Sequence, residues 1–303
     1  MSLRAAASAQ EWVAKARKAE DLGFDIALVA DHVAAIFPPM VALTAIATAT
    51  KRIRVGTMVL NNDFHHPVLL AREAAALDLL SEGRFELGIG AGHAAEEYAG
   101  LGRPYDPGPV RAARLAESIG IMKRMLAGEE VTHDGGHYHV QAGTIFPAPL
   151  QLPVPLCIGG NSAAVLRLAA REATTVGFTG FFSATGGGSS SRLTHFAGAT
   201  LENRLALVRQ AAGERFDALE LSTLVQSVTP TGDPAAAAEA LTKRMPSLSV
   251  ADILSSPFLL FGTSESMLET LLQRREQWGL SYFVVFEPFM DALAPVVAAL
   301  AGR

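Results

Sequence analysis

A closed barrel of eight βα units is the fold this sequence predicts, and three observations carry the prediction. Strand-like apolar runs begin near Asp25, Ile53, Phe85, Val154, Thr174, Leu219 and Ser281, and helical patterns fill the intervals between them. The segment Phe85-Glu86-Leu87-Gly88-Ile89-Gly90-Ala91-Gly92-His93 alternates large apolar residues with Glu86 and glycines, so one strand face is greasy and the other nearly bare. With 303 residues, half of them apolar, the chain is long enough to bury one large core as a single domain, 1–303. An open doubly wound sheet competes, but the third glycine of a dinucleotide fingerprint is displaced here and the turn lies far from the first βα unit.

The elements follow in order. Residues 1–7 are short and alanine-rich, so the first strand is expected to be reduced or missing, and Met1-Ser2-Leu3 reads as a leader. Ser8 and Glu11 make a capping box for a helix with Trp12, Ala16 and Ala19 on one stripe, and Gly23 stops it. Pro67 opens the next clear helix, Leu70, Leu77 and Leu80 line one side, and Gly83 ends it. Leu115, Ile119, Met122 and Leu126 repeat the spacing, and Asp233 before Pro234, then Thr263, start two later helices. Insertions are expected after helix 4 and around strands 6 to 8. The first, within 128–151, holds Val131-Thr132-His133-Asp134-Gly135-Gly136-His137-Tyr138-His139-Val140, a hairpin by its alternation and its Asp-Gly turn. The second, within 178–199, carries Gly186-Gly187-Gly188-Ser189-Ser190-Ser191 and reads either as a mobile lid or as disorder.

Composition narrows the partners. Lys plus Arg number 25 against 30 Asp plus Glu, giving a net charge of -5 without a basic run, which argues against nucleic acid and anionic lipid and for a small-molecule substrate. The apolar run 33–50 is broken by Pro38 and Pro39, so no membrane span is expected. One cysteine, Cys157, excludes an internal disulfide and a cysteine zinc site; it fits a core position and a cytoplasmic protein.

In barrels of this kind the chemistry sits at the carboxyl ends of strands. The shortlist is therefore Asp31 and His32; Asn61, Asn62 and Asp63 with His65 and His66; His93 after Gly92; and Gly159, Gly160, Asn161 and Ser162. Asn161 or Ser162 opens a helix after two glycines, which suits either a phosphate or an ordinary cap. His65 and His66 read as decoration of a helix entry. His133, His137 and His139 imitate a metal site, but no carboxylate or cysteine is spaced to complete it, so no metal is expected. Ser162 lacks a nucleophile elbow.

Taken together, Ala19-Glu20-Asp21-Leu22-Gly23-Phe24-Asp25, Asp31-His32, Arg54-Val55-Gly56-Thr57, Leu77-Asp78 with the run from Ser81 through Gly92, and Cys157-Ile158-Gly159-Gly160 resemble the bacterial luciferase-like monooxygenase superfamily. Within it, His65-His66-Pro67, Asp134-Gly135-Gly136-His137-Tyr138 and Ser256-Pro257-Phe258 before Gly262-Thr263 resemble the deazaflavin (coenzyme F-420)-dependent oxidoreductases. The resemblance implies a luciferase-like TIM barrel with a flavin-type ring in its mouth. It also implies a non-proline cis peptide between Met58 and Val59, with Asn61 beside the ring edge, Gly90 and Gly92 beside the ribityl chain, and Gly159, Gly160, Asn161 and Ser162 at its phosphate. The branch that oxidises glucose 6-phosphate has a tryptophan where this chain has Ile36 and a glutamate where it has His93, so a sugar phosphate is not supported.

The expected function is hydride transfer between a deazaflavin and a small organic substrate, with His32 and His93 moving the proton and Asp31 orienting His32. One alternative is an FMN-dependent luciferase-like monooxygenase, since a flavin can react with oxygen whereas a deazaflavin is confined to two-electron hydride work. A second alternative, which a damaged first strand would favour, is a non-catalytic barrel that only binds a ligand. A homodimer is expected, with the Pro67–Leu80 helix as a candidate contact.

Overall fold

The computed structural model describes residues 1–33, 36–180, 196 and 198–301. Eight strands run around a cylinder: β1 Ser2–Leu3, β2 Ile26–Val29, β3 Arg54–Thr57, β4 Phe85–Gly90, β5 Leu156–Gly159, β6 Thr175–Thr179, β7 Glu220–Val225 and β8 Leu280–Val285. They pair in parallel in that order, and a bridge from Ser2 to Phe286 joins the two ends. Seven of them start within two residues of the positions that the sequence suggests.

The first strand is a correction. It is short but present: Ser2 and Leu3 pair with Leu28 and Val29 and are buried, and the Leu28 amide donates to the Met1 carbonyl at 2.8 Å. Met1-Ser2-Leu3 is therefore part of the barrel wall. A two-residue strand shows no alternation, which is why no periodic signal marks it.

The local start and stop signals act as their chemistry requires. Ser8 Oγ accepts from the Glu11 amide at 3.1 Å, but the Glu11 carboxylate returns to the Ala7 amide instead of that of Ser8. Pro67, Asp233 and Thr263 stand where the sequence places helix starts, and Gly23 and Gly83 leave their helices with φ of 84° and 74°. The helices bury Leu43, Ile46, Leu70, Ala71, Leu115, Ile119 and Met122 against the outer faces of the strands. Inside the cylinder a separate cluster gathers Ile26, Leu28 and Val284 with Met58, Leu224 and Tyr282. Arg54 Nη2 donates to Glu86 Oε2 at 2.6 Å and the Tyr282 hydroxyl to Glu86 Oε1 at 3.2 Å, so the barrel floor carries a satisfied polar plug.

The bare face of β4 is needed by the protein itself. A Cβ on Gly88 would stand 1.9 Å from the Thr57 carbonyl oxygen. Thr57 Oγ1 clamps the same glycine, accepting from its amide at 2.8 Å and donating to its carbonyl at 2.7 Å. The next peptide, Met58-Val59, is cis, as the resemblance implies. The chain then returns as Leu60–Asn61 to pair with Ile89 and Gly90, so residues 58 and 59 form a bulge into the mouth.

Two additions flank the barrel. Val131–Asp134 and His139–Ala142 form the expected antiparallel hairpin, its turn fastened by the Glu117 carboxylate, which accepts from the amides of Gly136, His137 and Tyr138 at 3.0 to 3.2 Å. Ser227–Pro230 pairs in parallel with Leu259–Gly262 between β7 and β8, an insertion of the expected place but with strand structure the sequence reading missed. The run from Gly186 through Ser191 lies outside the described residues.

Gly88→Ala is expected to destabilise the fold by about 3 kcal/mol or more, because backbone rather than a movable side chain blocks the new methyl. Gly120→Ala, in the middle of the Gly108–Leu126 helix with nothing near the added carbon, should be neutral or stabilising by about 0.5–1 kcal/mol. Urea denaturation of the two variants checks the contrast.

Candidate active site

Every candidate residue leaves its strand at the same end of the barrel. Asp31 and His32 follow β2, Met58, Val59 and Asn61 follow β3, His93 follows β4, and Gly159, Gly160, Asn161 and Ser162 end or follow β5. In a parallel barrel these are the carboxyl ends, so the topology gathers them at one mouth.

Within the mouth the acid–imidazole pairing differs from expectation. Asp31 does not orient His32; its Oδ2 accepts from the Asn61 amide at 3.0 Å and lies 2.8 Å from His65 Nε2. His32 Nδ1 instead lies 2.8 Å from Glu97 Oε1, on the short helix Ala95–Gly100. Consecutive residues of an extended chain point in opposite directions, so neighbours in sequence are poorly placed to pair. The His93 ring packs edge-on against the His32 ring, 5.5 Å between centroids at 87°. The two imidazoles expected to move a proton are thus together, while His65, read as helix decoration, and Glu97, unread, are the partners that hold the site. Glu97 lies 65 positions from His32 in the chain, so no local spacing marks the pair.

The backbone leading to His93 is clamped from the side. Arg111, buried on the Gly108–Leu126 helix, donates from Nε to the Ala91 carbonyl at 3.1 Å and from Nη2 to the Gly92 carbonyl at 3.3 Å, while the Tyr105 hydroxyl donates to the His93 carbonyl at 3.2 Å. Gly92 has a φ of 76°, and a Cβ there would meet the Tyr98 hydroxyl at 2.2 Å and Asn61 Oδ1 at 2.5 Å. The space beside Gly92 therefore belongs to Asn61 and Tyr98. The Tyr98 hydroxyl lies 3.1 Å from both Asn61 Oδ1 and Asp63 Oδ2, and burial pushes it well above the ordinary phenol range. Asn61 Oδ1 also accepts from the Asp63 amide at 3.2 Å, which leaves the amide nitrogen as the group it can offer to a ring edge.

Val59 fills much of the room left by the other glycines. A Cβ on Gly90 or on Gly159 would stand 3.0 Å from a Val59 methyl, and one on Gly160 would stand 2.7 Å from Val165 Cγ1. Met58 and Val59 are half-buried between the buried Thr57 and Leu60, so they form an apolar shelf at the mouth. At the far side of the shelf, the Gly160 amide donates to the Gly177 carbonyl at 3.2 Å and Ser162 Oγ accepts from the Val165 amide at 3.3 Å, the ordinary cap of the Ala163–Glu172 helix. Asn161 Nδ2 donates to the Thr179 carbonyl at 2.8 Å, and its Oδ1 accepts from Arg204 Nη1 at 2.5 Å. Burial lowers the Arg204 guanidinium to about 10, and the residue lies on the inner side of the Gly198–Ala212 helix, where an arginine among apolar positions was the available clue. Below the shelf, Cys157 is fully buried with its sulfur 4.0 Å from that of Met58, and burial pushes its thiol well above its ordinary range. Two of the hairpin histidines are engaged elsewhere, His133 with Glu117 at 3.3 Å and His139 with Asp134.

Three comparisons bear on this mouth. The sequence model of the family described as luciferase-like monooxygenase matches residues 1–246. Among curated proteins, an F420-dependent glucose-6-phosphate dehydrogenase from Microbacterium testaceum (strain StLB037) is 37% identical over 163 residues, covering 51% of this chain and 48% of that protein. The chain spans about half the length of the first curated relatives it matches. Among solved structures, an F420-dependent secondary alcohol dehydrogenase in complex with an F420-acetone adduct superposes with a TM-score of 0.77 at 20% identity, covering 96% of this chain and 95% of that one. The monooxygenase RslO1 from Streptomyces bottropensis superposes with a TM-score of 0.71 at 20% identity, covering 96% and 92%. These structural likenesses establish the fold.

Arg111→Met should cost about 2 kcal/mol of stability in urea, since it strands the carbonyls of Ala91, Gly92 and Asp106 that a buried guanidinium holds. Cys157 should resist a disulfide reagent in the native protein at pH 8 and react fully in denaturant, as followed by thiolate absorbance; rapid native labelling would mean the barrel floor opens readily.

Proposed function

The chain belongs to the luciferase-like monooxygenase family, and from that premise we propose that it is a deazaflavin-dependent oxidoreductase acting on a small organic alcohol or carbonyl compound. The observation that carries this reading is that the half-buried Met58 and Val59, the paired His32 and His93 imidazoles and the Gly159–Ser162 turn all leave their strands at the same mouth. Such a mouth suits a flat tricyclic ring: an apolar floor from Met58 and Val59, an amide nitrogen from Asn61, and a helix start with Ser162 for a phosphate. When bound, coenzyme F-420 would supply a carbon that accepts or donates hydride.

The chain's own residues do the rest. Met58 and Val59 support the ring, and Gly159, Gly160, Asn161 and Ser162 shape the turn for its phosphate, with Arg204 holding Asn161 in place. Gly90 and Gly92 act indirectly, by admitting Val59 and Asn61 to the mouth. His32 and His93 give or take the proton, and an imidazole is suited to both directions near neutrality. Asp31 acts on the scaffold, tying Asn61 to His65. The relatives' names make glucose 6-phosphate one substrate to try, but Ile36 and His93 replace the tryptophan and glutamate of that branch and favour a different alcohol. A damaged first strand would have favoured a non-catalytic barrel, and β1 is in place.

The enzyme is proposed to be cytoplasmic and homodimeric. The lone cysteine is buried, and no helix among the described residues is long and apolar enough to cross a membrane. Leu69, Leu79 and Leu80 are exposed on the Pro67–Leu80 helix, and Leu150 and Leu152 lie beside its end, where Asp78 Oδ2 accepts from the amides of Leu150 and Gln151 at 2.6 and 2.9 Å. A second copy of the chain would cover this apolar surface.

Fluorescence titration with coenzyme F-420 and with FMN tests the cofactor: preferential binding of F-420 is expected, preferential binding of FMN would transfer the chain to the monooxygenases, and binding of neither would end the oxidoreductase reading. With F-420 bound, His32→Ala and His93→Ala should each lower turnover by about 10²-fold with cofactor affinity unchanged, assayed by F-420 absorbance with propan-2-ol and glucose 6-phosphate as probes. Light scattering on the eluting protein should give the dimer mass, and Leu80→Glu should shift it toward the monomer.

A further inference from the structure

Glu97 and His32 meet through a single bond of 2.8 Å between Oε1 and Nδ1, and both side chains are largely withdrawn from solvent, 14% and 33% exposed. A carboxylate has no hydrogen to give, so the hydrogen in this bond belongs to Nδ1. A neutral imidazole carries one N–H, and with Nδ1 holding it the lone pair is on Nε2. Asp31, the acid next in sequence, turns its Oδ2 instead to His65 Nε2 and the Asn61 amide. The His93 ring also packs against the His32 ring, edge-on at 5.5 Å.

We propose that Glu97 is a positioning residue that fixes His32 as the Nδ1–H tautomer and thereby makes Nε2 the atom at which the proton is exchanged with substrate. The inference rests on the reading of His32 as the proton carrier. For an alcohol, the O–H bond would break as an Nε2–H bond forms, and a bound deazaflavin would take the C–H hydrogen with its electron pair as hydride; the products would be the carbonyl compound, the reduced coenzyme and an imidazolium. That imidazolium keeps its Nδ1–H on Glu97, which stabilises the charge as it develops. In the reverse direction Nε2 returns its proton to the carbonyl oxygen.

Long-range nitrogen–proton correlation spectra of the full-length labelled protein, with His32 assigned from the His32→Ala spectrum, read the tautomer without cofactor. The expected wild-type pattern has Nε2 in the unprotonated range and Nδ1 in the hydrogen-bearing range. Glu97→Gln, whose amide can either give or accept, should mix or reverse the pattern and lower kcat by about 10²-fold with KM nearly unchanged, while Glu97→Asp should recover part of both. A wild-type His32 with its hydrogen on Nε2, or a Glu97→Gln spectrum identical to wild type, overturns the proposal. A changed spectrum with turnover unaffected in both Glu97→Gln and His32→Ala overturns instead the reading of His32 on which it rests.

Discussion

The contact of Thr57 with Gly88 is the constraint on which the mouth depends. The third strand presses its carbonyl into the space where any other residue of the fourth would carry a Cβ, and the Thr57 hydroxyl locks the two backbones together. Only from that close approach can residues 58 and 59 swing out and Leu60–Asn61 return to the same strand. Val59 then settles between Gly90 and Gly159, and Asn61 beneath Gly92. What reads in the sequence as a bare strand waiting for a ligand is first a bare strand occupied by its own neighbour. The ligand surface is one layer further out, on the residues that the glycines admit.

The same displacement governs the charges. Asp31 is consumed in holding the bulged segment, through the Asn61 amide and His65, and so the acid that serves His32 comes from the next loop. Arg111 and Tyr105 hold the carbonyls that lead to His93, and that loop also delivers Glu97. The two imidazoles are therefore brought face to edge by separate scaffolds, one anchored on the second and third strands and one on the fourth.

Much of this was legible in the chain. Seven strand starts, the helix caps at Asp233 and Thr263, the hairpin and the Met58-Val59 peptide follow from periodicity, local chemistry and resemblance. The clustering of His32, His93 and Asn161 at one end follows from parallel topology alone. The partners were not legible, because each is a contact between residues far apart in the chain: Glu97 with His32, His65 with Asp31, Arg204 with Asn161. Sequence adjacency suggested Asp31 for His32, and alternation of the extended chain forbids it. The short first strand was missed for a different reason, since two residues cannot display a period.

That short strand leaves the cylinder unevenly welded. β7 and β8 are joined along most of their length, whereas β1 meets β2 at two positions and reaches the last strand through one bridge. Amide protons along this seam have the fewest ladder bonds around them, so exchange through local opening is expected to be fastest there. The seam borders β2, whose end carries His32, and the partition of fast and slow exchange around the ring would divide the proton-handling side from the rigid wall that carries the glycines.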